Sequence, residues 1–215
     1  MVNMSFYTEF DRKLKEMWEE NMDIVRLAAI NRDKWLLKKI NNECEKCNVL
    51  NMEIILNSIK IDDFYAYKFA RNPMKQNFAE LFQLKFLEEH GKYGIEKLEA
   101  RGIYAYYLID GELESDLSRK PENSTKSIDF RHGEDYYYAK YTKEEGGAQD
   151  NQYKDGEMFI KQANKYCEKY DDIRRFILLV DGEYYSEVKK ERLRNHITKK
   201  DRVFVMSSEE AIKLL

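Results

Sequence analysis

No glycine occurs before Gly91, and proline stands only at positions 73 and 121. A chain free of backbone breakers over so long a stretch can run as helices with few interruptions, whereas a sheet needs turns. Phe6, Phe10, Leu14, Met17 or Trp18, Ile24 and Leu27 recur at helical spacing, and Trp35, Leu36, Leu37 and Ile40 give a similar face. These stripes are core packing, and they predict a helical annex over residues 1–66. Asn72 can cap a further helix whose first turn holds Pro73, with Phe78, Leu81, Phe82, Leu84 or Lys85, and Phe86 on its inner side. That helix carries Glu80 beside its apolar stripe.

From residue 101 the pattern changes. Ile103 to Ile109 runs into Asp110-Gly111, and Phe176 to Val180 runs into Asp181-Gly182; each pairing of an apolar run with Asp-Gly predicts a strand, a tight turn and a returning strand. Residues 112–125 read as a loop. Asp150 to Glu168 reads as a helix, Arg202 to Met206 as a strand, and Ser207 with Glu210 has capping-box spacing for a last short helix. Strands alternating with helices give an α/β core over residues 67–215.

The bulk composition excludes several classes. With 215 residues, 43% hydrophobic and 36% charged, the chain can bury a sizeable core. No apolar run approaches a bilayer span, and the start carries Glu9 where a signal peptide would be basic and then apolar, so a cytoplasmic protein with no membrane association is expected. Three cysteines argue against a disulfide framework. Cys44 and Cys47 form a lone Cys-x-x-Cys, read as reduced helix cysteines rather than a zinc or redox site. A net charge of −3 does not advertise a nucleic-acid binder, so any DNA contact is local or partner-supplied. Residues 189–202, rich in lysine and arginine, can track phosphates or simply form a solvated face.

The chemistry-bearing pattern lies between residues 125 and 152. Asp129, between Ile128 and Phe130, is expected to point to the face opposite both, where a carboxylate needs a partner: a metal ion, backbone amides or a lysine. Lys140 stands eleven residues later in the tyrosine-rich run Tyr136 to Tyr141, ahead of Gly146-Gly147. A carboxylate leaving a strand can hold a hard cation, and a neighbouring lysine can orient water and offset phosphate charge. A hairpin suffices to bring the two together.

In these segments the chain resembles the PD-(D/E)xK restriction endonucleases, most of all the cleavage domains of type IIS enzymes. Phe69 to Leu87 is similar to the family's first core helix, with its acid on Glu80. Lys126 to Asp129 resembles the segment bearing the metal-binding aspartate, and Tyr138-Ala139-Lys140 falls where the acid-x-lysine stands. Gly146, Gly147 and Gln149 with the helix through Asn164 resemble the next turn and helix; Arg192 to Thr198 and Val205 to Glu210 resemble the end of that domain.

The resemblance implies a restriction-endonuclease-like mixed sheet flanked by helices, and a type II endonuclease that hydrolyses duplex DNA at a short sequence with Mg²⁺, as a homodimer or with a heteromeric partner subunit. It implies catalytic roles for Asp129, Lys140, Glu80 and Gln149, metal ligation by Asp129 and the Ala139 carbonyl, and DNA contacts by Lys126, Lys143, Arg192 and Arg194. One departure stands out: Tyr138 occupies the position of the family's second acid. Either the acid has moved, with Glu80 and Gln149 or Asp150 as the nearest replacements, or the chain is inactive, or Asp129, the Ala139 carbonyl and waters suffice. A non-catalytic DNA-binding or assembly protein on a decayed nuclease fold, and a repair or junction-resolving nuclease, are the alternatives.

Overall fold

The computed structural model describes residues 5–47, 51–91, 93–115, 124–143 and 147–214, with backbone alone at Cys47, Gln76, residues 147–149 and Leu214. The chain divides into two compact units, Met1–Phe78 and Ala79–Leu215. The expected boundary at residue 66 therefore moves. Residues 67–78 pack within the helical unit: Tyr67 against Trp18, Phe69 in its core, the Arg71 carbonyl on the Asn21 amide at 2.8 Å, and Phe78 against Phe10.

The first unit contains α1 (Phe6–Asn31), α2 (Lys34–Cys47), α3 (Met52–Ile61) and α4 (Asp63–Phe69). Ser5, Asn51 and Asp62 cap the helices they precede by accepting from backbone amides, which satisfies donors the helix itself leaves open. Val25, Ala28, Ala29, Leu36, Ile40, Ile55, Leu56, Ile59 and Phe69 form its core. The inward stripe of α1 is not the expected one: Ile24 and Leu27 are 58% and 59% exposed, while Val25, Ala28 and Ala29 are buried. Small residues face the other helices and let them approach. After Asn72 caps a short 3-10 turn at Pro73–Gln76, Asn77 takes a left-handed φ of 58°, so the single helix expected from Asn72 is broken before α5 (Phe78–Glu89) begins.

The second unit is a mixed α/β domain. Strands β1 (Glu96–Lys97), β4 (Phe130–His132), β5 (Asp135–Tyr141), β6 (Arg175–Asp181) and β7 (Val203–Met206) form one sheet in that order, antiparallel from β1 to β5 and parallel from β5 to β7. The long helix α6 (Gly147–Lys169) makes the β5–β6 crossover. On its side Tyr136, Tyr138, Phe176, Leu178, Val180, Val203 and Val205 meet Phe159, Ile160, Ala163, Tyr166 and Cys167. On the other face Phe130, Tyr137, Ala139, Ile177, Leu179 and Met206 meet Leu87 of α5 and Ala211 of α8 (Ser208–Leu214). Strands covered on both faces read as continuous apolar runs, which is why Phe176 to Val180 shows no alternation. Burial pushes the Cys167 thiol up to about 11, in keeping with a core role.

A separate hairpin, β2 (Tyr107–Ile109) with β3 (Glu112–Glu114), turns at Asp110 and Gly111, both at positive φ. Only the last three residues of the expected 103–109 strand pair, and part of the expected 112–125 loop is β3; residues 116–123 lie outside the described residues. Asn164 of α6 accepts from Thr198 N at 3.1 Å and donates to the His196 carbonyl at 2.7 Å, fastening the segment after α7 (Glu187–Arg194). At α8 the capping box forms as its spacing predicts: Ser207 N donates to Glu210 Oε2 and Glu210 N to Ser207 Oγ. Among the described residues no helix is long and apolar enough to cross a membrane.

The second Asp-Gly does not make a hairpin. Asp181 is fully buried at the end of β6, accepting from Gln83 Nε2 (2.8 Å), Ser208 Oγ (2.6 Å) and Ser208 N (3.1 Å), and the chain continues from Gly182 toward α7. Gly182 is at φ +98°, and a Cβ there would lie 2.1 Å from the Thr142 carbonyl oxygen. Gly182→Ala is expected to cost more than about 2 kcal/mol through combined strain and clash. Urea unfolding checks this; an unchanged midpoint would contradict the close approach.

Candidate functional site

Asp129 and Lys140 come together where β4 ends and β5 runs on with β6 alone beside it. Asp129 N donates to the Tyr137 carbonyl, although Tyr137 is already the register partner of Phe130, so two residues face one across the ladder. This bulge turns Asp129 out of the regular alternation. It also corrects the expected geometry: Ile128 and Phe130 pack on opposite faces of the sheet, not the same one. The Asp129 carboxylate then accepts from Ala139 N at 2.7 Å, taking the place of a ladder carbonyl.

Lys140 shares the α6 face with Tyr136 and Tyr138 by strand alternation. Its Nζ turns back over the Tyr138 ring, 3.8 Å from the centroid, donates to the Ala139 carbonyl at 2.7 Å and lies 3.9 Å from Asp129 Oδ2. Both side chains are only 15% exposed. Burial raises the Asp129 pKa to about 6, against the opposing pull of Lys140 and the Ala139 N–H. Burial likewise lowers the Lys140 pKa, opposed by Asp129.

Glu80, in the first turn of α5, pairs with Lys97 of β1 at 2.9 Å and stands close enough for its charge to act on both Asp129 and Lys140. Two turns of chemistry meet behind it: Gln83 donates to Asp181 and, at 3.4 Å, to the Lys140 carbonyl, tying α5 to the ends of β5 and β6. Asp181, wholly buried, has its pKa raised to about 6, chiefly by burial.

The other expected residues divide. Lys126 pairs with Asp155 of α6 at 2.5 Å. Lys143 and Arg192 are exposed. Arg194 donates to the Val205 carbonyl (3.0 Å), Glu191 (2.7 Å) and Glu210 (2.9 Å), joining α7 to β7 and α8. The Gln149 side chain and Gly146 lie outside the described residues, and Asp150 accepts from the Tyr184 hydroxyl at 3.2 Å. Asp155, which the sequence did not single out, is the residue that holds Lys126. Among the described residues no three carboxylate, imidazole or thiol groups gather closely enough to hold a metal ion by themselves. An ion here would rest on one or two carboxylates and neutral oxygens.

Two aspartates with raised pKa set a pH dependence. Between the ordinary 3.8 and about 6 the folded chain keeps protons that the unfolded chain has released. The stability they contribute is therefore full below about 3.8 and falls as pH rises through about 6. Carboxyl carbon NMR should show two aspartates with midpoints near 6, one of them absent from Asp129→Asn, and the parent should lose stability relative to that variant between pH 4 and 6. Ordinary midpoints for all aspartates would contradict the burial assigned to Asp129.

Comparison with known proteins adds no relative: no family model matches the chain, and neither a curated protein nor a solved structure matches it significantly.

Proposed function

We propose that this chain is a metal-dependent DNA endonuclease of the PD-(D/E)xK kind, cutting duplex DNA at a short sequence as a type II restriction enzyme. The observation that carries the reading is the convergence of Asp129 and Lys140, 3.9 Å apart and largely withdrawn from water, at the end of β5. The element order supports it too: a helix bearing Glu80, an antiparallel run bearing Asp129 and Lys140, then a parallel crossover through α6, as the resemblance implies.

The donor chemistry fits a hard divalent cation. Asp129 is a buried carboxylate with its pKa raised to about 6, and the Ala139 carbonyl oxygen is held by the same Lys140 ammonium that lies beside it. Asp129 and the Ala139 carbonyl would hold Mg²⁺, with Glu80 as a further oxygen nearby. When bound, the ion would polarise the scissile phosphate and lower the pKa of a coordinated water.

The chain's own residues would do the rest. Ala139 N–H fixes the orientation of the Asp129 carboxylate. Lys140, released from the Ala139 carbonyl, would orient the attacking water and stabilise negative charge developing on the phosphate. Low exposure strengthens both interactions by excluding bulk solvent. Lys126, Lys143 and Arg192 are the proposed phosphate contacts, which makes DNA binding salt-sensitive. Two sites are needed to cut two strands, so a homodimer or a pairing with a recognition subunit is proposed.

One observation favours a second reading. The Lys140 ammonium already occupies the Ala139 carbonyl and the Tyr138 ring, where the resemblance would put a cation between two acids. A non-catalytic DNA-binding or assembly protein would keep this closed arrangement. Nicking of supercoiled plasmid separates the two. The nuclease reading predicts Mg²⁺-dependent cleavage that EDTA stops and that Lys140→Ala lowers about a hundredfold or more while DNA binding is largely kept. Cleavage by Lys140→Ala at the parental rate would remove Lys140 from the mechanism, and tight DNA binding without any cleavage would favour the second reading.

A further inference from the structure

The helical unit leaves a run of large apolar side chains in solvent. Ile24, Leu27 and Ile30 follow one another along α1 at 58%, 59% and 62% exposure, and Trp35 of α2 is 43% exposed. Apolar residues scattered singly on a surface need no explanation, but these are joined: Ile24 and Trp35 line one groove, whose walls include Val25 and Phe69 of the unit's core. Arg32 and Asp33 alone separate α1 from α2, and Asn21 and Lys39 line the same groove, so α2 runs back along α1.

Charge is sorted between the two helices. From Glu16 to Val25, α1 carries four acids and no base; from Lys34 to Asn42, α2 carries three lysines and no acid. Glu20 stands four residues before Ile24 and seven before Leu27, on their stripe of α1. Lys38 is exposed on the side of α2 away from the buried Leu36 and Ile40. Neither Glu20 nor Lys38 forms an ion pair among the described residues. A polyanion laid on this face would be repelled by the acids of α1. A second copy of the same face offers each sign its opposite and each apolar side chain a cover.

We propose that the α1–α2 face pairs with a second copy of this chain about a twofold axis lying along the groove, so that α1 of one protomer covers α2 of the other. Ile24 then meets Trp35 and Glu20 meets Lys38, and each contact is made twice, as an isologous interface requires. The result is an apolar centre with a charged rim. The face belongs to the helical unit and holds whatever the second unit does; under the nuclease reading it is what joins two Asp129–Lys140 sites in one particle.

Sedimentation of the full chain, without DNA or metal, tests the proposal. The parent should run as a dimer, Ile24→Lys should weaken association about a hundredfold or more, and Glu20→Lys and Lys38→Glu about tenfold each by setting like charges together. The combined variant Glu20→Lys with Lys38→Glu should return to within about threefold of the parent, which damage to the fold by either change would not allow. A parent that stays monomeric at about 100 μM, or Ile24→Lys associating as the parent does, would overturn the face. A combined variant no tighter than the single ones would overturn the arrangement of α1 on α2. A monomeric parent whose DNA binding is abolished by Lys38→Glu would make the patch a nucleic-acid surface instead. Because the readout involves no cleavage, a dimer lost in Ile24→Lys and inactive on DNA upholds the face and defeats the nuclease reading.

Discussion

The hydrogen bond from Ala139 N to the Asp129 carboxylate is the joint on which the site depends. β4 ends where β5 still has an amide to satisfy, and a buried N–H left open would cost about 1–3 kcal/mol. A bulge supplies a side-chain carboxylate in place of a backbone carbonyl, at 2.7 Å. That substitution holds a charge in a position from which water is mostly excluded, and it places the charge beside Lys140. The raised pKa of Asp129 follows from the same burial, as does the lowered pKa of Lys140. Structural need and chemical potential meet in one carboxylate.

The rest of the second unit keeps that joint in place. β5 and β6 pair over their full length with both faces covered, and a fully buried phenylalanine or leucine contributes about 1.5–3 kcal/mol on such a surface. Behind the strand ends, Gln83, Asp181 and Ser208 lock α5, β6 and α8 together through a carboxylate with three donors. Removing that carboxylate would strand all three, so the network fixes the backbone at Lys140 more firmly than apolar packing alone.

Much of this was legible in the sequence, and the failures have physical causes. Asp110-Gly111 and Asp181-Gly182 look alike locally, yet the first is a hairpin turn and the second ends a parallel strand, because Gln83 and Ser208 reach Asp181 from distant parts of the chain. The capping box at Ser207 and Glu210 and the cap at Asn72 were readable because each is satisfied within a few residues. Ile24 and Leu27 were expected inside α1, but hydropathy does not tell which of two adjacent stripes faces the core, and the small residues Ala28 and Ala29 do. The pairing of Asp129 with Lys140 was legible from a hairpin-length spacing, whereas the bulge that aims the carboxylate was not. The pairing of Lys126 with Asp155 was not legible either, because it joins residues 29 positions apart, the second of them on α6.

The central claim is that the Asp129 carboxylate, held by Ala139 and facing Lys140, supports hydrolysis of duplex DNA. Digestion of a long mapped DNA in Mg²⁺ tests it most directly, with the parent and Asp129→Asn side by side. The account predicts discrete fragments from the parent and intact DNA with the variant. Intact DNA with both, or the same fragments from Asp129→Asn as from the parent, would contradict it.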